Sequence, residues 1–98
     1  MHYTESTSSS GVATAGNPRP DYPICYFTVD PSSASGTGTV TAKAVGASAF
    51  EPVYADGVAL TVDLSATVSH RIEHPIEELK VTSDNAGDAF VLRVGGGQ

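Results

Sequence analysis

The sequence has one cysteine and few basic residues, and each of these two shortages excludes a structural or functional feature. Five Lys and Arg stand against eleven Asp and Glu in 98 residues, which gives a formal charge of -6. Because no cluster of Lys or Arg is present to neutralise phosphates, we expect no nucleic-acid partner. The single cysteine, Cys25, excludes a disulfide within the chain. Its apolar and aromatic neighbours predict a buried, unreactive thiol.

Long apolar runs are absent as well. No stretch approaches the roughly 20 apolar residues of a membrane-spanning helix. The beginning, MHYTESTSSSG, lacks the basic segment and apolar run of a secretory signal. We therefore expect a protein that is made in a cytoplasm and has no membrane partner.

What the sequence does contain is a period of two. From Val58 to Ile72 the even positions are apolar except His70, while the odd positions from Thr61 to Arg71 are polar. This alternation predicts extended chain with one buried face, and its length requires a bend near Ser65. Similar short runs lie at 24–29, 38–45, 49–54, 76–82 and 89–94. About seven short strands predict an all-β protein, an antiparallel β-sandwich of jelly-roll or immunoglobulin-like type.

The sandwich is predicted to occupy residues 24–95. Residues 1–23 are rich in Ser, Thr, Gly and Pro and predict an extended N-terminal arm. We predict that residues 96–98 form a short C-terminal tail. Asp84 to Asp88, sequence DNAGD, is typical of a loop, and we predict a hairpin there between the last two strands.

Two histidines in SHRIEHPIEE raise the question of a metal site. His70 and His74 would share one face of a helix, but Pro75 disfavours helical geometry at His74 and the alternation continues through His70. Four residues of strand span about 13 Å, which is too far for both side chains to reach one zinc ion. We predict structural roles for both residues and no metal site.

Catalytic chemistry is not indicated elsewhere. The acidic residues are scattered over predicted turns and polar faces, and no nucleophile motif or phosphate-binding loop occurs. The DNAGD loop lacks the alternating ligands and closing glutamate of a calcium loop, so a plain turn is favoured and calcium binding stays open. We expect no enzyme, no catalytic residue and no cofactor.

The segment from GTVTAKAV through SAFEPV to HPIEELKV, within residues 38–96, resembles small virion proteins of tailed bacteriophages. The resemblance lies in the order of strands and bends and includes no diagnostic motif. It implies a non-enzymatic β-sandwich protein, a cement or decoration protein that bridges neighbouring capsid subunits on the virion surface. The implied partners are the major capsid protein and further copies of the chain itself.

Two alternatives remain open: a tail or neck subunit of the same kind of particle, and a module that binds carbohydrate or a host-surface protein. For the cement protein we expect residues 1–23 and a sheet edge or face to bridge subunits. For the binding module we expect aromatic residues such as Tyr54 and loops at one end of the sandwich to make the contacts. The candidate partner-binding residues are Tyr3, Val12, Arg19, Tyr22 and Tyr54.

Overall fold

The computed structural model of the chain describes residues 3–8, 10–21, 23–55, 57–73 and 75–96. These residues form eleven strands and no helix, and therefore no helix long and apolar enough to cross a membrane. The strands are β1 (Tyr3–Ser8), β2 (Val12–Gly16), β3 (Cys25–Ser33), β4 (Thr37–Ala44), β5 (Glu51–Pro52), β6 (Tyr54–Ala55), β7 (Val58–Ala59), β8 (Thr61–Asp63), β9 (Val68–Ile72), β10 (Ile76–Ser83) and β11 (Ala89–Gly96).

The strands form two main sheets and one small hairpin. Sheet 1 has the order β1-β11-β3-β9, and sheet 2 has the order β2-β10-β4-β5, with β8 also paired to β4. Every pairing is antiparallel. The prediction of an all-β antiparallel sandwich is confirmed, although eleven short strands replace the expected seven. Because β1 and β2, β3 and β4, β8 and β9, and β10 and β11 each divide between the two sheets, the connectivity is that of a jelly roll.

The core lies between the inner faces of the two sheets. In β3, Cys25, Phe27 and Val29 point inward, while Tyr26 is exposed. Burial of a side chain such as Phe27 or Val29 stabilises the fold by about 1.5–3 kcal/mol. The largest completely buried side chains are Phe27, Phe90, Leu64, Ile76, Leu79 and Leu92.

Two strands of the sandwich come from the segment predicted to be an arm. β1 pairs with β11 from Tyr3 opposite Gly95 to Ser8 opposite Phe90, and β2 pairs with β10. Ala13 and Ala15 of β2 are buried in the core. β1 and β2 therefore belong to the sandwich, because alternate small side chains of these strands face its interior. At the other end Gly96 closes β11, and the remainder of the predicted tail lies outside the described residues.

The alternating run that ends at Ile72 contains the expected bend. Residues 64–66 form a turn that carries the chain from β8 in sheet 2 to β9 in sheet 1. Val62, Leu64 and Ile72 are buried as predicted, whereas Val58 is 68% exposed. The expectation for Val58 was wrong because, within the described part of the chain, β6 and β7 pair with each other as a hairpin separate from both sheets.

The prediction of a hairpin at Asp84 to Asp88 was also wrong. β10 lies in sheet 2 and β11 in sheet 1, so this loop crosses from one sheet to the other instead of joining paired neighbours. The connection between β3 and β4 also crosses between the sheets, at the same end of the sandwich. The two loops are therefore in contact and are joined by hydrogen bonds.

Candidate functional site

A cleft of about 340 Å³ lies between the β6–β7 hairpin and the end of β9. The hairpin and the residues flanking it provide one side, and β9 with Glu73 provides the other. The lining residues are Val53, Tyr54, Ala55, Leu60, His70, Arg71, Ile72 and Glu73. The cleft is open, mixed in polarity and located beside the strand edge of β9.

The hairpin is held in place at its base. The N–H of Leu60 donates to the carbonyl of Val53 at 2.6 Å, and the N–H of Val53 donates to the carbonyl of Val40 at 3.2 Å. Gly57 has a φ of +79°, a left-handed conformation that glycine adopts without strain in a tight turn. The hairpin therefore projects Tyr54, 64% exposed, next to the cleft.

β9 forms the opposite wall. His70 is half-buried and stacks on Phe27, with ring centroids 5.7 Å apart and an angle of 24° between the rings. Arg71 forms an ion pair with Glu73 at the surface. The strand geometry of Val68–Ile72 confirms that His70 lies on a strand, while His74 lies outside the described residues. No group of three or more His, Cys, Asp or Glu able to hold a metal ion occurs in the part of the chain that the structure describes.

β9 is also a free edge. Among the residues that the structure describes, it pairs only with β3, and at the other side of sheet 1 β1 pairs only with β11. In the ranges described, neither strand makes a backbone hydrogen bond on its outer side. Unpaired N–H and C=O groups in such a row are a ready template for pairing with another chain.

An ionic row crosses the outer face of sheet 1. Arg93 on β11 donates from Nε to Glu5 Oε2 of β1 at 2.7 Å and also binds Asp30 of β3. Hydrogen bonds from Arg93 and then from Thr67 lower the pKa of Asp30, and the bond to Asp30 raises the pKa of Arg93. Negative, positive and negative charges therefore follow one another on the outer face of β1, β11 and β3.

Asp88 is a buried charged residue whose burial the sequence did not reveal. Its carboxylate accepts hydrogen bonds from Ser83 Oγ at 2.7 Å, from the N–H of Gly36 at 2.9 Å and from the N–H of Ser35 at 3.2 Å. The Ser83 bond contributes most to lowering the pKa of Asp88. Asp84 accepts a bond from the N–H of Thr37 at 3.0 Å. Both carboxylates of the DNAGD loop thus tie together two crossings between the sheets.

The predicted partner-binding residues are not brought into one patch. Tyr3 is 54% exposed on β1, and Tyr54 lies beside β9 at the opposite edge of sheet 1. Val12 is 43% exposed on β2, and Arg19 is half-buried in the connection after it. Tyr22 lies outside the described residues. The cleft could be foreseen only in part, since the exposed aromatic at Tyr54 was noted but its proximity to β9 depends on the fold.

Cys25 is buried completely, which confirms its expected place in the core. Burial raises the pKa of its thiol to about 11, because the charged thiolate is disfavoured away from water. A thiol in this state is a poor nucleophile at neutral pH.

The chain matches no protein-family model and no curated protein. Among solved structures it is similar to a chain from work on Bacillus endospore appendages, described as a novel family of disulfide-linked pili. The TM-score is 0.54 and the identity 11%, and the match covers 95% of this chain and 80% of that one. At this identity the similarity establishes a shared all-β fold.

Proposed function

We propose that the chain is a non-enzymatic structural subunit of a repeating assembly on a biological surface. The observation that carries this proposal is the pair of free strand edges, β1 and β9, on one sheet. Soluble monomers usually cover or interrupt such edges, because exposed strand backbone favours association. The likeness in fold to a chain from disulfide-linked pili lends further support.

Within this role, the setting that the sequence favours is the capsid of a tailed bacteriophage, with the chain as a cement or decoration protein. The order of strands and bends within residues 38–96 supports this setting. The partners would be the major capsid protein and neighbouring copies of the chain. Many weak contacts made in parallel would hold each copy, since linked binding events raise the overall affinity steeply.

A filament is the second candidate setting, favoured by the fold match alone. The neighbouring structure is described as disulfide-linked, whereas the one cysteine of this chain is completely buried. A filament of this chain would therefore be joined by noncovalent contacts.

A carbohydrate- or host-binding module remains a third candidate, because exposed Tyr54 stands beside the cleft. Aromatic rings give such sites a large contact area. A glycan array probed with the natural chain and with Tyr54→Ala tests this candidate. Binding that the substitution abolishes would establish it.

Immunogold electron microscopy on the native source tests the structural role. An antibody raised against the purified chain should label one kind of particle or filament at regular spacing. Label on capsids would support the cement role, and label along fibres would support the filament. Label dispersed among soluble proteins would contradict both.

A further inference from the structure

We propose that β9 of one copy pairs with β1 of a second copy, so that sheet 1 continues from subunit to subunit. This inference deepens the proposed structural role and rests on it. The partner is a second copy of the same chain, and the contact surfaces are the two free edges together with the cleft beside β9.

The strand directions permit this contact. β1 is antiparallel to β11, β11 to β3, and β3 to β9, so β1 and β9 run in opposite directions within one subunit. Two copies in the same orientation therefore present antiparallel strands to each other. The contact is head-to-tail, and it leaves one free β1 and one free β9 on every assembly. Further copies are added in the same way.

The directions of the side chains and the lengths of β9 and β1 together permit one register. In both strands alternate residues point inward, so pairing must match inward with inward positions. One register does this while using all five residues of β9. It places Val68, Ser69, His70, Arg71 and Ile72 opposite Ser8, Thr7, Ser6, Glu5 and Thr4 of the second copy.

Charge favours the same register. It sets Arg71 opposite Glu5 on the outer face, where Glu5 already contacts Arg93 and Arg93 contacts Asp30. The sign of the charge then alternates across four neighbouring strands, which are β9 of one copy and β1, β11 and β3 of the next. A shift by two residues in one direction would instead set Glu73 opposite Glu5, and like charges directly opposite each other are destabilising.

The cleft receives the beginning of the incoming strand. In the selected register Thr4 of the second copy lies opposite Ile72 and faces the side of the cleft lined by Val53 and Leu60. Tyr3 of that copy lies opposite Glu73, next to Tyr54. The two exposed tyrosines that are far apart in one chain thus meet at the contact between copies.

Five paired residues form a contact smaller than the roughly 1,200 Å² of a stable interface. Each junction is therefore weak, and association depends on concentration. Sedimentation velocity of the full chain over a concentration series measures this directly, and charge reversal at the two edges tests the register.

Arg71→Glu and Glu5→Arg each create like charges at the junction between identical copies. We expect each variant alone to self-associate at least about tenfold more weakly than the natural chain. An equimolar mixture of the two restores opposite charges at every junction, and we expect it to recover association in alternating order. Glu51→Arg and Lys80→Glu, which make the same changes of charge on sheet 2, serve as matched controls and should associate normally.

Thermal unfolding followed by circular dichroism establishes that each variant is folded. Should Glu5→Arg fail to fold, Arg71→Glu alone decides, because Arg71 is exposed at the surface. Association of Arg71→Glu equal to that of the natural chain would overturn the pairing, as would a natural chain that stays monomeric at every concentration. Neither result decides whether the chain has a structural role, because the immunogold labelling tests that role separately.

Discussion

Asp88 Oδ2 accepts a hydrogen bond of 2.9 Å from the N–H of Gly36, and this bond joins two loops that cross between the sheets. The same oxygen accepts from Ser83 Oγ. Each bond favours the ionised carboxylate over the protonated one. Asp88 is therefore a structural carboxylate whose contribution to stability depends on pH.

Asp88→Asn should reduce stability near neutral pH, because an amide offers one acceptor oxygen where two backbone N–H groups and a hydroxyl converge. The folded-state pKa of Asp88 is lowered from its ordinary 3.8. Stability from the ionised form is thus present above about pH 4 and is lost as the pH falls through the lowered value. Urea unfolding of both proteins between pH 2 and 7 should give curves that converge in acid. A constant gap down to pH 2 would contradict this role.

Gly38→Ala should destabilise the sandwich by about 1–3 kcal/mol through overpacking. A Cβ at Gly38 would lie 2.8 Å from Val81 Cγ1 and 3.1 Å from Val62 Cγ2. Gly16→Ala is the matched control, since a Cβ there meets nothing within 4 Å. Denaturant unfolding of both variants provides the comparison. Equal stability of the two would show that β4 is not packed as described.

Ala13→Asp should unfold the chain or lower its stability by several kcal/mol, because it places an unpaired charge in the core. Thr14→Asp introduces the same charge on the exposed side of the same strand and should be tolerated. Thermal unfolding followed by circular dichroism distinguishes the two. If β2 lay outside the sandwich, both variants would unfold at the same temperature as the natural chain.

Cys25 should resist thiol reagents in the folded chain at pH 8 and react fully in denaturing urea. Its side chain is completely buried, and its pKa of about 11 keeps the thiol protonated. Maleimide labelling followed by mass spectrometry measures the modified fraction with time. Rapid modification without denaturant would contradict the burial of β3.

The local pattern predicted most strands after residue 23, but not β1 and β2 and not how the strands pair. The alternation before Ile72 identified Val62 and Leu64 as buried, yet it also placed Val58 inside, because a period of two reports parity and not whether a face is covered. Ala13 and Ala15 alternate with polar neighbours in the same way. Their small apolar area and the Ser-rich surroundings favoured an arm.

The remaining differences are nonlocal. A loop such as DNAGD has the same chemistry whether it joins paired strands or crosses between sheets, and only the partner of β11 decides between them. The cleft is also nonlocal, because it forms only where the fold places β9 next to the β6–β7 hairpin. Tyr54 was predicted to be a contact residue from its type, and this stays a prediction, while His70, Arg71 and Glu73 join it at the cleft only through folding.

Amide hydrogen exchange on the natural chain tests most directly whether the free edges of sheet 1 join its copies. As concentration rises, we predict new protection at alternate amides in residues 4–8 and 68–72, with central strands β3 and β10 unchanged. Protection that develops elsewhere, while both edges continue to exchange at their dilute rates, would contradict assembly through β1 and β9.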